Sequence, residues 1–254
     1  MKDAGTTTAA YVLRRFDFSE TSQIARLYTR EFGRISVLAK GIRRPNPDLL
    51  GPLDLGARGS AVIRPKKGDQ LSLLTRWRTE TGHPGQRASL ERMVGAAHFC
   101  ELWLEGTRDF DPDPGLFDLL AESMSALETA PEEATASVIA AAELRWLVQA
   151  GFAPALDGCV ACGRTAPPNA AVKLSPGRGG VVCSRCVDPA TPGLAALTAG
   201  ERRALFALAD AGPAEAFHVP LGKKDGSAVR RALDRLIEHA LERDLRSSRY
   251  LGAF

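Results

Sequence analysis

The sequence is poor in the residues that most often carry out catalysis. Only four of its 254 residues are histidines, and none stands at a metal-binding spacing from a second histidine. The phosphate-binding motif GxxxxGK[ST] is absent, which argues against a P-loop ATPase. The acidic residues between Asp109 and Asp113 lie in a proline-rich turn, where helix capping explains them better than a nuclease metal site. We therefore expect a protein that is not an enzyme.

The chain also has no long hydrophobic run. No stretch approaches the roughly 18 apolar residues that a membrane-spanning helix requires, and the segment Met1–Thr8 lacks the apolar core of a secretion signal. Because 44% of the residues are hydrophobic, the chain can still bury a core. The sequence predicts a soluble cytoplasmic protein with neither a membrane nor a small-molecule substrate as its partner.

Cysteine is scarce as well, and four of the five cysteines form two CxxC pairs, Cys159 with Cys162 and Cys183 with Cys186. Two such pairs about twenty residues apart have the spacing of a four-thiolate zinc site. Two disulfides or a redox-active pair are the alternatives. The missing secretion signal argues against disulfides, and the loop-forming residues after Cys162 argue against a thioredoxin-like pair. We predict one structural zinc ion, because four protein ligands leave no coordination position for chemistry.

The net charge of +3 conceals three segments of different sign. Residues 1–80 contain fifteen lysines and arginines against eight acidic residues, and residues 81–158 contain four against thirteen. Residues 159–254 contain fourteen against nine. The basic head indicates an anionic partner such as nucleic acid, and the changes of sign indicate separate modules.

Residues 10–80 have the composition and alternation of β-strands. The predicted strands are 10–16, 23–29, 34–39, 53–64 and 70–77. The fourth of these contains Gly56 and Gly59, whose small size suits a bulge or a tight bend. Five strands in about seventy residues fit a small closed barrel, which leaves no sheet edge exposed.

After Ser89 the hydrophobic residues recur every three or four positions, which is the spacing of an amphipathic helix. The predicted helices cover about 89–104, 116–127, 137–150, 198–210 and 227–245. Asp113 before Pro114 is a possible N-cap, and Thr198 with Glu201 has the pattern of a capping box. The cysteine segment between the third and fourth helices is rich in glycine and proline, and we expect loops that depend on the metal.

The fold class is therefore α+β. We divide the chain into a barrel domain (1–80), the first part of an α-helical domain (81–158), a zinc-finger insertion (159–190) and C-terminal helices that complete the helical domain (191–254).

The basic residues of the barrel are the candidate functional residues. Lys40, Arg43 and Arg44 share one flexible loop and could neutralise several phosphates at once. Small barrels of this class often hold nucleic-acid strands across their second and third strands and the nearby loops. The residues predicted to bind nucleic acid are Arg14, Arg15, Arg34, Lys40, Arg43, Arg44, Lys66 and Lys67. The aromatic residues that could stack on bases, or instead belong to the core, are Tyr11, Phe16, Tyr28, Phe32 and Trp77. Basic residues of the C-terminal helices could form a second surface for nucleic acid or simply keep those helices soluble.

Residues 11–21 and 28–44 resemble the amino-terminal domain of the bacterial RecO family of DNA-repair proteins. The resemblance lies in Tyr11-Val-Leu-Arg-Arg-Phe-Asp-Phe and in Gly33-Arg-Ile-Ser-Val-Leu-Ala-Lys-Gly-Ile-Arg-Arg. The helical middle, the CxxC pairs and the closing Ser248–Leu251 follow in the order of that family. The resemblance implies an OB-fold head, an α-helical domain and a zinc-finger insertion.

The same resemblance implies a recombination mediator. Members of the family bind single- and double-stranded DNA, anneal complementary strands and, with the partner RecR, load the RecA recombinase onto DNA coated by single-strand-binding protein. This implies a cytoplasmic protein that associates with the nucleoid during repair. Two other functions stay open at this point: a nucleic-acid-processing enzyme, and a zinc-ribbon accessory factor of transcription or translation.

Overall fold

The structure of the protein is a computed structural model that describes residues 5–66, 70–167, 170, 172–191, 193–212, 215–221 and 223–251. The chain forms two compact units, Met1–Met124 and Ser125–Phe254. In the described part, no helix has both the length and the apolar character needed to cross a membrane. The division into four segments drawn from the sequence stays a prediction.

A closed five-stranded barrel with one short additional strand occupies the first part of the chain. The strands are β1 (Thr6–Asp17), β2 (Gln23–Thr29), β3 (Gly33–Ala39), β4 (Leu49–Leu50), β5 (Arg58–Arg64) and β6 (Ser72–Thr81). β1 pairs antiparallel with β2 and β5, β2 with β3, and β5 with β6, while the two residues of β4 lie parallel to β6. A parallel pairing of Val37 with Ser72 and of Leu38 with Leu73 joins β3 to β6 and closes the ring. This strand order is that of the OB-fold, and it confirms the predicted barrel.

Alternate residues of each strand fill the barrel. On β3, Ile35, Val37 and Ala39 are fully buried while the residues between them are half-buried, because successive strand residues point to opposite faces. Trp77 of β6 is also fully buried, and its indole Nε1 donates a hydrogen bond to Thr79 Oγ1 at 2.9 Å. Trp77 therefore belongs to the core and presents no face to a ligand.

Gly59 occupies a bulge between β5 and β6, as its position in the sequence suggested. A Cβ atom there would lie 2.5 Å from the carbonyl oxygen of Arg78 and 2.7 Å from the ring of Trp77, so only glycine fits. The strand predicted from Leu53 begins later than expected. The chain first makes a turn at Gly56, where φ is +77°, a conformation that glycine adopts without steric cost.

Two helices follow the barrel, α1 (Leu90–Gly106) and α2 (Pro114–Thr129). The ring of Phe117, near the start of α2, lies 5.7 Å from the ring of Tyr11 and 6.3 Å from that of Tyr28. Both tyrosines are buried, so this part of the outer face of β1 and β2 is covered. The N-cap prediction is confirmed, because Asp113 Oδ1 accepts a hydrogen bond from the backbone N–H of Leu116 at 3.0 Å and Pro114 opens the helix.

The second unit is built around one buried helix. Its helices are α3 (Thr135–Gln149), α4 (Ala199–Asp210), α5 (Lys223–Leu241) and α6 (Ser248–Leu251). α3 packs against both α4 and α5. A Cβ atom at Gly226 would lie 3.2 Å from the Cβ of Ala136, so glycine permits the close approach of α5 to α3. The predicted capping box opens α4, since Glu201 N–H donates to Thr198 Oγ1 and Thr198 N–H donates to Glu201 Oε2.

A three-stranded sheet lies in and just after the segment that is rich in loop-forming residues. Its strands are β7 (Val172–Ser175), β8 (Gly180–Val182) and β9 (Ala195–Leu197), in the order β8-β7-β9. Leu174, Val181 and Leu197 are buried in it. With three or four residues each, these strands are too short to show an alternating pattern, so the sequence did not predict them.

Candidate nucleic-acid interface and metal centre

One end of the barrel gathers most of the predicted DNA-binding residues. The pairing of Asp17 with Gln23 and of Gln23 with Ala39 places the end of β1, the start of β2 and the end of β3 side by side. The loop after β3 is fastened to the β1–β2 hairpin, because Arg43 N–H donates to Thr21 O at 3.1 Å. We call this region the basic end; its cations are Arg14, Arg15, Lys40, Arg43 and Arg44, all of them exposed.

The cations of the basic end differ in their present partners. Arg15 forms an ion pair with Asp54 at 3.1 Å, and Arg43 forms one with Asp17. The amide of Gln23, and after it the guanidinium of Arg43, lower the pKa of the Asp17 carboxyl. Exposed ion pairs of this kind are weak and exchange readily with other anions.

The other three cations of the basic end have no ion-pair partner among the described residues. The guanidinium of Arg14 lies over the ring of Phe16, 4.7 Å from its centre. Lys40 and Arg44 extend from the surface of the loop. Their charges are therefore available to an incoming phosphate without displacement of a carboxylate.

A pocket of about 560 Å³ opens at the barrel mouth beside these cations. Arg15, Asp17 and Arg43 contribute its polar wall, and Leu49 and Leu53 contribute apolar surface. Since Arg15 pairs in register with the inward-facing Ala25, its side chain leaves β1 on the interior side, at the rim of this pocket.

Arg34 has different surroundings from the rest of the predicted set. Its side chain is only 17% exposed, and its guanidinium donates to the Asp109 carboxylate and to the carbonyl oxygen of Leu104. Its own carbonyl accepts a hydrogen bond from Phe110 N–H at 3.0 Å. These contacts tie β3 to the chain that follows α1, which is a structural role. A DNA contact by Arg34 stays a prediction, and this geometry does not favour it.

The two lysines after β5 complete the predicted set. Lys66 is exposed, and its backbone N–H donates to Ser72 Oγ at 3.0 Å. Lys67 lies outside the described residues.

The four cysteines predicted to bind metal lie together in the second unit. One sulfur from each of Cys159, Cys162, Cys183 and Cys186 lies within 4.8 Å of the other three, and the Cys162 and Cys183 sulfurs are 3.9 Å apart. A tetrahedral zinc ion with Zn–S bonds of about 2.3 Å requires sulfurs about 3.8 Å apart, so the donor set fits such an ion. Among the described residues, no other group of histidine, cysteine or carboxylate side chains is placed to share a metal ion.

The short sheet brings the two cysteine pairs together. Val160 N–H donates to Val181 O at 2.9 Å, which ties the first pair to β8, and β8 leads directly into Cys183. The first pair ends at Gly163, where φ is +71° and glycine is favoured. The cysteines of the predicted insertion therefore lie beside strands.

The thiols of this cluster influence one another strongly. Backbone N–H groups, that of Cys183 foremost, lower the pKa of the Cys159 thiol to about 6. Hydrogen bonds with the sulfurs of Cys162 and Cys183 raise the pKa of the Cys186 thiol to about 12. Four thiolates this close repel one another, and a bound dication would supply the charge that allows all four to ionise.

Comparison with known proteins matches the chain to two family descriptions, one for each part of its length. The family description "Recombination protein O N terminal" matches residues 1–82, and "Recombination protein O C terminal" matches residues 87–249. The chain belongs to the RecO family of DNA-repair proteins.

Relatives in the RecO family match almost the whole chain. The DNA repair protein RecO of Anaeromyxobacter dehalogenans strain 2CP-C is 36% identical over 240 residues, which are 94% of this chain and 93% of that protein. The RecO protein of Pelotomaculum thermopropionicum is 30% identical over 246 residues, or 96% and 93% of the two chains. That of Syntrophus aciditrophicus is 25% identical over 245 residues, or 96% and 94%. The resemblance seen in the sequence is therefore confirmed across nearly the full length.

One residue of this RecO family member that supports the cysteine cluster was not predicted. Arg202 of α4 is 1% exposed, and its guanidinium donates to the carbonyl oxygens of Leu156 at 2.9 Å and Ala166 at 3.0 Å. Further hydrogen bonds reach the carbonyls of Asp157 and Pro167. These four carbonyls flank the first cysteine pair, so Arg202 fixes both ends of the loop that carries it. No signal in the sequence distinguishes Arg202 from the adjacent Arg203.

The basic C-terminal helices are less available to DNA than their composition suggested. Besides Arg202, Arg230 is buried, and it forms an ion pair with Asp234 at 3.2 Å. The side chains of Lys223 and Lys224 lie outside the described part of the chain. A second DNA surface on these helices would have to rely on the remaining, exposed arginines.

Proposed function

We propose that this RecO family member is a recombination mediator that binds single- and double-stranded DNA at the basic end of its barrel and anneals complementary strands. With RecR it promotes the loading of RecA onto DNA coated by single-strand-binding protein. The observation that carries the proposal is the gathering of five exposed cations at one end of an OB-fold barrel. In this activity no covalent bond is made or broken.

Charge neutralisation explains how such a surface promotes annealing. Two strands of DNA repel each other, because each carries one negative charge per phosphate, and clustered cations lower that repulsion. Contacts to phosphate carry no information about sequence, so the same surface serves any pair of complementary strands. The unpaired Lys40 and Arg44 bind first, and Arg15 and Arg43 follow when phosphates replace Asp54 and Asp17. Lys66 extends this surface beyond β5. We include Lys67, which lies outside the described residues, in the proposed set.

Zinc is the metal that the four-cysteine cluster fits best, and we assign it a structural role. Cys159, Cys162, Cys183 and Cys186 would hold the ion with no position left open for substrate or water. The ion would cross-link the two cysteine pairs and so stabilise the short sheet.

A double charge reversal tests the proposed DNA surface. We expect Arg43→Glu with Arg44→Glu to weaken binding of single- and double-stranded oligonucleotides about tenfold at moderate salt, because two phosphate contacts become repulsive. The slope of log affinity against log salt should also become shallower by about 0.9 for each lost contact with duplex. Fluorescence anisotropy over a salt series measures both quantities, and an annealing assay follows the consequence.

The matched control reverses two arginines of the same barrel. Arg76 and Arg78 on β6 are also exposed, and Arg76 pairs with Asp48 at 3.3 Å, outside the basic end. Arg76→Glu with Arg78→Glu changes the net charge equally and should change DNA affinity far less. Equal losses in both double variants, or no loss in the first, would remove the basic end as the DNA site.

The same oligonucleotides can be used to distinguish this proposal from the two alternative functions. A processing enzyme would shorten or alter labelled strands in the presence of Mg²⁺ or Mn²⁺, whereas a mediator anneals them and leaves them intact. A zinc-ribbon accessory factor would prefer RNA, which a direct comparison of affinities for RNA and DNA of one sequence would detect.

A further inference from the structure

A line of apolar side chains crosses four neighbouring strands on the outer face of the barrel. Phe16 of β1 pairs in register with Ile24 of β2, which pairs with Leu38 of β3, which pairs with Leu73 of β6. Paired residues of a sheet project to the same face, so these four side chains form one continuous row. We call it the outer row.

The outer row faces away from the barrel core. Ala25, next to Ile24, and Val37 and Ala39, on either side of Leu38, belong to the buried core. Because strand residues alternate between faces, Ile24 and Leu38 project outward. Phe16 is 43% exposed, and the other three members are half-buried.

Only part of the outer face is covered within the first unit. Phe117 lies on Tyr11 and Tyr28, which pair with each other four residues along β2 from Ile24 of the outer row. Of the five aromatic residues that the sequence offered for base stacking, Tyr11, Tyr28 and Trp77 are buried. Phe16 is the member of that set with an exposed ring.

A second exposed ring was not singled out from the sequence. Phe18 lies in the turn between β1 and β2, two residues beyond Phe16, and is 60% exposed. The turn is closed by hydrogen bonds from the backbone N–H groups of Phe18 and Ser19 to the carbonyl oxygen of Ser22, at 3.1 and 3.2 Å. The ring is therefore presented at the tip of a defined hairpin.

Cations border the outer row on several sides. Arg14 and Arg26 are paired in register and form the next outward-facing position on β1 and β2, and the guanidinium of Arg14 lies over Phe16. Lys40 lies two residues beyond Leu38 on the other side. Arg64 is paired with Leu73 at the end of the row. Arg26 forms an ion pair with Asp109 at 3.8 Å, so the positive charge beside the row comes chiefly from Arg14, Lys40 and Arg64.

We propose that the outer row, extended by Phe18, is a stacking platform for the unpaired bases of single-stranded DNA. An occupant must offer flat apolar groups next to a regular series of negative charges, and single-stranded DNA has both. Duplex DNA keeps its bases stacked inside and exposes chiefly its phosphates, so it can use the bordering cations but not the row. The inference rests on the proposed DNA-binding function and adds that this protein distinguishes single strands from duplexes.

Substitution of the two exposed rings tests the platform. We expect Phe16→Ala and Phe18→Ala each to weaken binding of a single-stranded oligonucleotide about tenfold, because one base loses its stacking partner. Binding of a duplex of the same sequence should stay within about twofold of wild type, since phosphate contacts dominate there. Phe16→Tyr should restore single-strand affinity, whereas Phe16→Leu, which keeps apolar bulk without a ring, should not.

Tyr250 provides a matched control for the loss of an exposed ring. It is 57% exposed and lies beneath the guanidinium of Arg249, at 5.9 Å, as Phe16 lies beneath Arg14. Tyr250→Ala should leave the affinity for single strands unchanged. Thermal unfolding of each variant, expected to match wild type, establishes that the effects do not come from misfolding.

Photo-crosslinking gives a readout that a purely structural role would not produce. A single-stranded oligonucleotide carrying 5-iododeoxyuridine should crosslink to Phe16 or Phe18, identified by mass spectrometry of the peptides. The corresponding duplex should give no such crosslink.

The outcomes separate this inference from the proposed function. If Phe16→Ala and Phe18→Ala bind single strands as wild type does, while Arg43→Glu with Arg44→Glu loses both forms of DNA, the platform is refuted and the basic end stands. Equal losses for single strands and duplexes would also refute the platform. If wild-type protein binds neither form, the proposed function and the platform fall together.

Discussion

Arginine has opposite roles in the basic end of the barrel and in the cysteine segment. Arg43 and Arg44 project from a loop, and Arg43 has a single exposed carboxylate as partner. Arg202 is buried and is enclosed by backbone carbonyls. A cation in water can exchange its partner for a phosphate, whereas a buried cation cannot leave without exposing several unpaired groups. Exposure, more than residue type, therefore distinguishes a binding site from a structural support.

Among the substitutions that test this difference between the basic end and the cysteine segment, loss of one cysteine ligand should have the largest effect on stability. Cys159→Ser leaves three thiolates, so we expect less than one zinc ion per chain and a loss on the order of 5 kcal/mol in the free energy of unfolding of the second unit. Oligonucleotide binding by the barrel should persist. Metal analysis, chemical denaturation and DNA titration on the same preparation measure these quantities.

Cys100 provides the control for this experiment. It is buried in the first unit, where burial raises the pKa of its thiol to about 12, so it is an inert thiol. Cys100→Ala should keep one zinc ion per chain. A Cys159→Ser protein that stays folded but no longer anneals DNA would show that the cysteine cluster takes part in annealing and is not only structural.

Replacement of the buried arginine should have the next largest effect. Arg202→Met keeps much of the volume but leaves the carbonyls of Leu156 and Ala166 without a donor, and we expect a loss of about 3 kcal/mol in the free energy of unfolding. Zinc affinity should fall as well, because the loop carrying Cys159 and Cys162 is no longer fixed at both ends. Urea denaturation and competition with a zinc chelator measure the two effects.

The adjacent Arg203 is exposed and supplies the matched control. Arg203→Met should change stability by about 0.5 kcal/mol or less, as is usual for surface positions. If both variants were equally stable, the carbonyl contacts of Arg202 would have no structural importance.

Local patterns in the sequence predicted the parts of the fold that depend on neighbouring residues. β2 was predicted with both of its ends correct, because its apolar residues alternate, and the capping box at Thr198 and Glu201 was correct because it involves residues three apart. The cysteine spacing likewise predicted a cluster that the structure brings together. In each case the pattern involves residues that lie close together in the sequence.

Interactions between distant residues could not be predicted in the same way. Arg34 resembled the other cations of the head, but its partner Asp109 is 75 residues away in the acidic segment. Arg202 resembled the exposed Arg203, and only the packing of α4 separates them. The strands β7 to β9 were missed because three or four residues are too few to show the alternation of apolar and polar residues that marks a strand. Tertiary contacts decide each of these cases, and a single sequence does not reveal them.

Removal of an exposed carboxylate at the basic end should have the smallest effect on DNA affinity, and it tests the role of a single ion pair. Asp17→Asn removes the partner of Arg43, so one more cation becomes available to phosphate, and we expect DNA affinity at low salt to rise about threefold. Asp48→Asn, which removes the partner of Arg76 on β6, should leave affinity unchanged. Gln23 and Arg43 lower the pKa of Asp17, so in wild type the carboxylate stays charged until the pH falls below the usual range of aspartate. The advantage of Asp17→Asn should therefore be full at neutral pH and should vanish only in acid, where wild-type Asp17 is protonated and releases Arg43. A gain in affinity that did not depend on pH would mean that Asp17 acts by some route other than its charge.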